Sequence, residues 1–132
     1  MELAARGLAG TTVYCMVNNG FYEGVQNEFV LKQMRLFTAA AGARWGQGIG
    51  IGGGEFHRAL FSASMGRGIH KNLGLALDAL TTSLTQCTTA EDVFTVPNCP
   101  RFVWRWLAHK FMWRAHAKAN GVKKKEMYRR WV

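Results

Sequence analysis

A parallel α/β sheet is the fold class that this sequence predicts, and three observations predict it. Val13 to Val17 (VYCMV) is a nearly continuous apolar run, of the kind found in strands covered on both faces. Val25 to Gly42 is amphipathic at helical spacing, and Ala43 to Gly54 is a second extended candidate dense in glycine. A glycine-containing loop follows the first strand and another ends the second, so the order is strand, loop, helix, strand, loop, the repeating unit of such sheets. Ligands of parallel α/β sheets bind in the loops beyond the carboxyl ends of their strands.

The elements follow in order. Residues 1–10 read as the end of a helix closed by Gly7 or Gly10. Thr11 to Val17 is the first strand, stopped by Asn18, Asn19 and Gly20, residues that favour turns. The first helix spans Val25 to Ala41, with Val25, Phe29, Val30, Met34, Phe37 and Ala41 on its inward stripe and Gly42 at its C-terminal stop. Arg44 to Ile51 is the second strand. Six glycines fall between Ala43 and Gly54, a density that needs a reason: a strand crowded by a helix or a neighbouring backbone, or a ligand against the strand's end. Ala59 to Met65 is a candidate short helix. Asn72 to Gln86 is the second amphipathic helix, with Asn72 as its N-cap. Thr88 to Val96 reads as a connection or short extended piece. Pro100 opens and Gly121 closes a third helix over 101–120, and residues 121–132 form a basic tail.

At 132 residues the chain has the length of one domain, with 48% apolar and 19% charged residues. No run approaches the ~18 apolar residues of a membrane span, and the N-terminus lacks a secretory apolar core. Cys15, Cys87 and Cys99 form no C-x-x-C pair and read as reduced thiols, so a cytoplasmic location is expected. No Cys or His set has zinc-ligand spacing, and no metal site is expected. The net charge of +9 belongs to the last quarter, where ten Lys or Arg face one acid, Glu126.

Three constellations carry chemistry. Asn18, Asn19, Gly20, Phe21, Tyr22, Glu23 and Gly24 follow the first strand and offer amides, mobile backbone and rings suited to a planar heterocycle. The same composition also makes a plain turn. Gly48 to Gly54, ending in Gly52, Gly53 and Gly54, contains G-x-G but lacks the helix start and ribose-binding acid of a dinucleotide fingerprint. The C-terminus interleaves Arg101, Arg105, Lys110 and Arg114 with Trp104, Trp106 and Trp113, a pattern open to nucleic acid or an anionic surface. Trp106 and Trp113, with Phe102 and Ala117 close by, also share a face suited to packing, and nucleic acid is not the expected partner. No catalytic dyad emerges: Glu55 and His57 beside the glycine loop read as solvated, and Ser62 and Ser64 lie in no nucleophile elbow. A place to hold a ligand without proton-transfer machinery fits chemistry done by a bound cofactor.

VYCMVNNGFYEGVQN, WGQGIGIGGG and the ending VPNCPRFVWRW with WRAHAKANG together resemble the C-terminal part of flavodoxin-like NAD(P)H-dependent FMN reductases, over roughly residues 8–122. The resemblance implies a flavodoxin-like three-layer parallel sheet, of which Thr11–Val17 is the fourth strand and Arg44–Ile51 the fifth. It implies that Asn18, Asn19, Gly20, Phe21, Tyr22, Glu23 and Gly24 lie beside the isoalloxazine ring of FMN, that Gly52, Gly53 and Gly54 flank the ligand, and that NAD(P)H is the co-substrate. The family's phosphate loop follows its first strand, and nothing before Thr11 supplies it. The expectation is therefore a single partial domain over 1–132 that lacks its N-terminal strands. It pairs its open strand edge with a second copy or with a chain supplying them. The alternative is a non-catalytic module using its basic aromatic end on nucleic acid, an anionic surface or a partner chain.

Overall fold

The computed structural model describes residues 7–54, 57 and 63–129. The chain divides into two compact units, 1–98 and 99–132, with the boundary just ahead of the predicted C-terminal helix.

The first unit is a three-stranded parallel sheet in the order β1-β2-β3, with β1 at Thr12–Asn18, β2 at Arg44–Ile51 and β3 at Val93–Thr95. β1 and β2 lie within a residue of the predicted strands. β3 falls within the stretch read as a connection or short extended piece and adds a third strand on the far side of β2, where Ile49, Gly50 and Ile51 pair with Val93, Phe94 and Thr95. A 3₁₀ turn at Gly24–Asn27 leads into helix α1 at Glu28–Ala40, and a second, at Gly68–His70, leads into α2 at Lys71–Thr85. Residues 1–6 and most of the candidate helix over 59–65 lie outside the described residues.

β2 carries the architecture. Its pairing with β1 shifts register between Val13 and Tyr14, which leaves Gly46 as the extra residue of a bulge. Beyond the bulge the strand alternates faces. A side chain on Gly48 would meet Leu31 of α1, and one on Gly50 would meet Gly24 of the turn before α1. Ile49, one residue out of phase, packs with Ala76 and Leu80 of α2, flanked by Tyr14, Ile51 and Val93. The two helices therefore cover opposite faces of one glycine-rich strand. The first of the two readings of the glycines holds: a strand crowded by a helix and a neighbouring backbone.

That crowding also corrects the inward face of α1. Leu31, Thr38 and Ala41 are buried and Met34 and Phe37 half-buried, while Val25, Phe29 and Val30 of the predicted stripe are exposed. Gly48 leaves a recess that the Leu31 side chain enters, and this sets the inward face of the helix. Thr38 is tolerated inside because its hydroxyl donates to Met34 O at 2.7 Å. Phe29 and Leu36 are left 69% and 73% exposed. α2 likewise starts at Lys71, ahead of the predicted cap, and Asn72 instead donates its amide to Val96 O at 3.1 Å, holding the chain beyond β3.

Asp92 clamps the α1 side of the sheet. Its Oδ1 accepts from Gly48 N at 2.8 Å and Trp45 Nε1 at 3.0 Å, and its Oδ2 pairs with Arg35 at 2.6 Å. The Arg35 guanidinium in turn lies 5.5 Å from the centre of the Trp45 ring.

The second unit is a helical stretch in three parts: α3 at Arg101–Leu107, a π-helical segment at Ala108–Trp113, and α4 at Arg114–Ala119. Gly121, at φ 70°, ends it as predicted. Phe102, Trp106, Phe111 and Trp113 are all more than half exposed. No described helix is long and apolar enough to cross a membrane.

Candidate functional site

Both strand-to-loop transitions occur at the same end of the sheet, and the two loops are sewn together by backbone. Asn19 N donates to Ile51 O at 3.0 Å, Gly53 N to Phe21 O at 2.5 Å, and Gly54 N to Asn19 O at 2.7 Å. Asn27, 4% exposed, sits where β1 and β2 end and donates its amide to both Val17 O and Ile51 O at 3.1 Å. A buried amide bridging two diverging strands fixes the spacing at which the loops emerge.

The seam explains which predicted site residues serve the fold and which remain open to a ligand. Asn19 Oδ1 accepts from Phe21 N at 3.0 Å and its Nδ2 donates to Glu23 O at 3.3 Å, an Asx turn that shapes the loop. A Cβ on Gly24 would strike Gly50 O and Thr95 O. One on Gly52 would strike Tyr22 O and Gly24 N, and Gly53 stands at φ 74°. These three glycines allow backbone to lie on backbone. Gly20 differs, with open space where its side chain would stand, beside a Phe21 that is 64% exposed. Tyr22 and Glu23 are half-buried within the seam.

The structure brings Asn18 and Gly54 together with residues that the sequence did not unite. A Cβ on Gly54 would meet the Asn18 amide, and both line a cavity of about 310 Å³ with His57, Ala63, Met65, His70 and Leu73. His57 Nε2 lies 3.0 Å from Gly52 O, and His70 Nδ1 lies 3.1 Å from Ala63 O. A carbonyl only accepts, so each of these nitrogens carries the ring proton. The other nitrogen of each ring, His57 Nδ1 and His70 Nε2, is buried and has no hydrogen-bond partner among the described residues. The ring centres are 5.0 Å apart at an interplanar angle of 45°. Burial pushes His57 below the ordinary imidazole range; the Gly52 carbonyl opposes this in part, and the neighbouring His70 adds to it.

His57 stands beside the glycine loop in the sequence, where solvation is the expectation; in the structure it is half-buried and its Nδ1 is shielded from solvent. His70 gave no signal, because an isolated histidine thirteen residues away has no motif spacing and only the fold joins the pair. Glu55 and Ser62 lie outside the described residues, and Ser64 is exposed. No group of three or more His, Cys, Asp or Glu able to hold a metal occurs among the described residues.

A larger hollow of about 610 Å³ lies within the second unit, lined among others by Trp113, His116, Val122 and Met127. Its polar groups are engaged locally: Asn120 Nδ2 donates to His116 O at 2.8 Å, and Glu126 Oε2 accepts from Lys123 N at 2.8 Å. The cavity at the strand ends is the better candidate, because it holds buried nitrogens with no partner at the place where parallel sheets bind ligands.

Comparison with known protein families, curated proteins and solved structures returns no match for this chain.

Proposed function

We propose that this chain is the flavin-ring side of an FMN-dependent oxidoreductase of flavodoxin type, its C-terminal portion. The observation that carries the reading is the seam at the carboxyl ends of β1 and β2, which leaves Gly20 open and Phe21 exposed at its tip. A flat heterocycle has access there to backbone and to an aromatic face. The fit is to the ring alone: Asn18–Gly24 and Gly52–Gly54 contain neither a cation nor a Ser or Thr for a phosphate. Asn18, Gly20, Phe21 and the backbone of Tyr22 hold and orient the ring, Asn19, Glu23 and Gly24 shape the loop, and Gly52, Gly53 and Gly54 bring the second loop against it. Bound flavin supplies the hydride acceptor between NAD(P)H and a small electron acceptor. The residues of this chain position it and shield one edge from water. Titration of the chain with FMN, read by flavin fluorescence and by melting temperature, tests the reading. Saturable quenching with a raised Tm supports it, and a Tm unmoved at millimolar FMN defeats it.

The second unit favours a different reading of its own. Lys110 Nζ lies 4.8 Å from the Trp106 ring centre and 5.2 Å from that of Phe111, and these rings are exposed among cations. Such a surface fits an anionic polymer or bilayer without any catalysis. Binding of a fluorescent oligonucleotide that weakens steeply between about 50 and 200 mM salt supports this reading, and no binding at low salt removes it.

A further inference from the structure

The π-helical segment at Ala108–Trp113 changes which side chains of the second unit share a face. Phe102, Trp106, Lys110, Arg114 and Lys118 recur at four-residue steps, and all are exposed. In a continuous α-helix each such step turns about 40° past a full turn, so a run of them winds off any one face. A π-helical turn takes more residues, so there the same step falls short of a full turn and the drift is cancelled. The five side chains accordingly line one stripe, aromatic at its start and cationic toward its end. Phe111 joins it from five residues beyond Trp106. The two rings meet edge to face with centres 6.4 Å apart, although residues five apart are not surface neighbours on an α-helix.

The chemistry of this stripe selects the partner. Lys110 Nζ stands 4.8 Å from the Trp106 ring centre and 5.2 Å from that of Phe111, so the chain's own cation already sits on both rings. Nucleobases stack on open ring faces, whereas these two rings stand at 88° to each other with an ammonium over them. A bilayer surface makes no such demand. Aromatic rings enter the boundary between headgroups and acyl chains, while lysine and arginine raise their charges on long stems to the phosphates. Charge complementarity sets the sign of the lipid. Residues 101–132 hold ten Lys or Arg against one acid, Glu126, and that carboxylate already accepts from Lys123 N at 2.8 Å. We propose that the stripe from Phe102 to Lys118 lies in the plane of an anionic bilayer surface, with Phe102, Trp106 and Phe111 below the headgroups and Lys110, Arg114 and Lys118 on the lipid phosphates. The proposal rests on the anionic-surface reading of the second unit and commits that surface to lipid; it does not depend on flavin.

The test uses the full chain and two probes. One is co-sedimentation with vesicles of phosphatidylcholine and phosphatidylserine, set against vesicles of phosphatidylcholine alone; the other is a fluorescent single-stranded oligonucleotide. The chain should sediment with the anionic vesicles and not with the neutral ones. Phe102→Ser with Phe111→Ser, which leaves the charge unchanged, should weaken vesicle binding about tenfold or more. Lys110→Gln with Arg114→Gln should weaken it about tenfold or more as well. No sedimentation with anionic vesicles, equal sedimentation with both kinds, or binding unmoved by the two serine substitutions overturns the proposal. Oligonucleotide binding without vesicle binding overturns it while leaving the anionic-surface reading standing, and failure of both probes removes both. A measurement on the wild-type chain covers the case in which the variants misfold: anionic vesicles with brominated acyl chains should quench tryptophan fluorescence, less so after Trp106→Phe. A chain that binds without quenching rests on headgroup charge alone, which also overturns the proposal.

Discussion

The ring of Tyr14 fills the space in which a side chain on Gly46 would stand. Gly46 is the bulged residue of β2, and the ring it admits sends its hydroxyl to Ser83 O at 2.9 Å and Thr88 O at 2.8 Å, tying β1 to the C-terminal end of α2. Gly46→Ala should therefore displace an aromatic anchor and cost about 1–3 kcal/mol. Urea unfolding checks it; an unchanged midpoint would show that the bulge relaxes freely.

The glycines of the loops should separate into two classes. Gly52→Ala forces a methyl group onto Tyr22 O and Gly24 N, which are backbone atoms that cannot turn aside, and should open the seam and lower the Tm. Gly20→Ala meets nothing within 4 Å and should leave the Tm unmoved while weakening FMN binding. Equal effects of the two on Tm would contradict this division.

Removing Asp92 should cost more than an ordinary surface acid. Asp92→Ala leaves Gly48 N and the Trp45 indole without their acceptor and Arg35 without its partner, a loss of about 2–4 kcal/mol. A denaturation midpoint within error of wild type would show that water replaces the carboxylate.

Stability should fall on mild acidification through His57. Its folded pKa lies below the unfolded value, so near neutrality folding is unopposed by its protonation. As pH falls below about 6.5 the unfolded chain takes up a proton that the folded ring refuses, and stability is lost down to the folded pKa. Thermal melts between about pH 7.5 and 5 should show a steeper decline for wild type than for His57→Gln. Parallel curves would assign the acid sensitivity elsewhere.

β1 pairs on one side only among the described strands, and Met16, on the α2 side of the sheet, is 57% exposed. An apolar strand edge of this kind recruits another strand. Light scattering at micromolar concentration should give a dimer or larger species, and Met16→Pro, which removes a backbone donor from the unpaired side of β1, should shift the mass toward monomer. A monodisperse monomer of the wild-type chain would count strongly against this edge as an interface.

The parts of the fold that local chemistry decides were legible. VYCMV and the alternation of WGQGIGI marked β1 and β2, and Gly42 and Gly121 marked helix stops, both with positive φ. What long-range contact decides was not. Val93–Thr95 is too short to show a period, and becomes a strand because β2 has a free side. The inward face of α1 depends on Gly48 offering a recess to Leu31, which no helical wheel contains. Asn18 and Gly54 were marked by composition, whereas His57 and His70 became a pair only through the chain's return to the strand ends.

The pairing of β1 with β2 extends over seven registered positions, and that of β2 with β3 over three. Such inequality sets an order of assembly. The β1-α1-β2 crossover closes a shorter loop than the β2-α2-β3 one and has the larger interface, so it should form first. β3 should then dock last, and its docking places Thr95 O against Gly24. Amide exchange should accordingly run faster in Val93–Thr95 than in Tyr14–Val17. The loop tip at Phe21 would then be shaped only once the latest strand had arrived, coupling readiness of the candidate site to completion of folding.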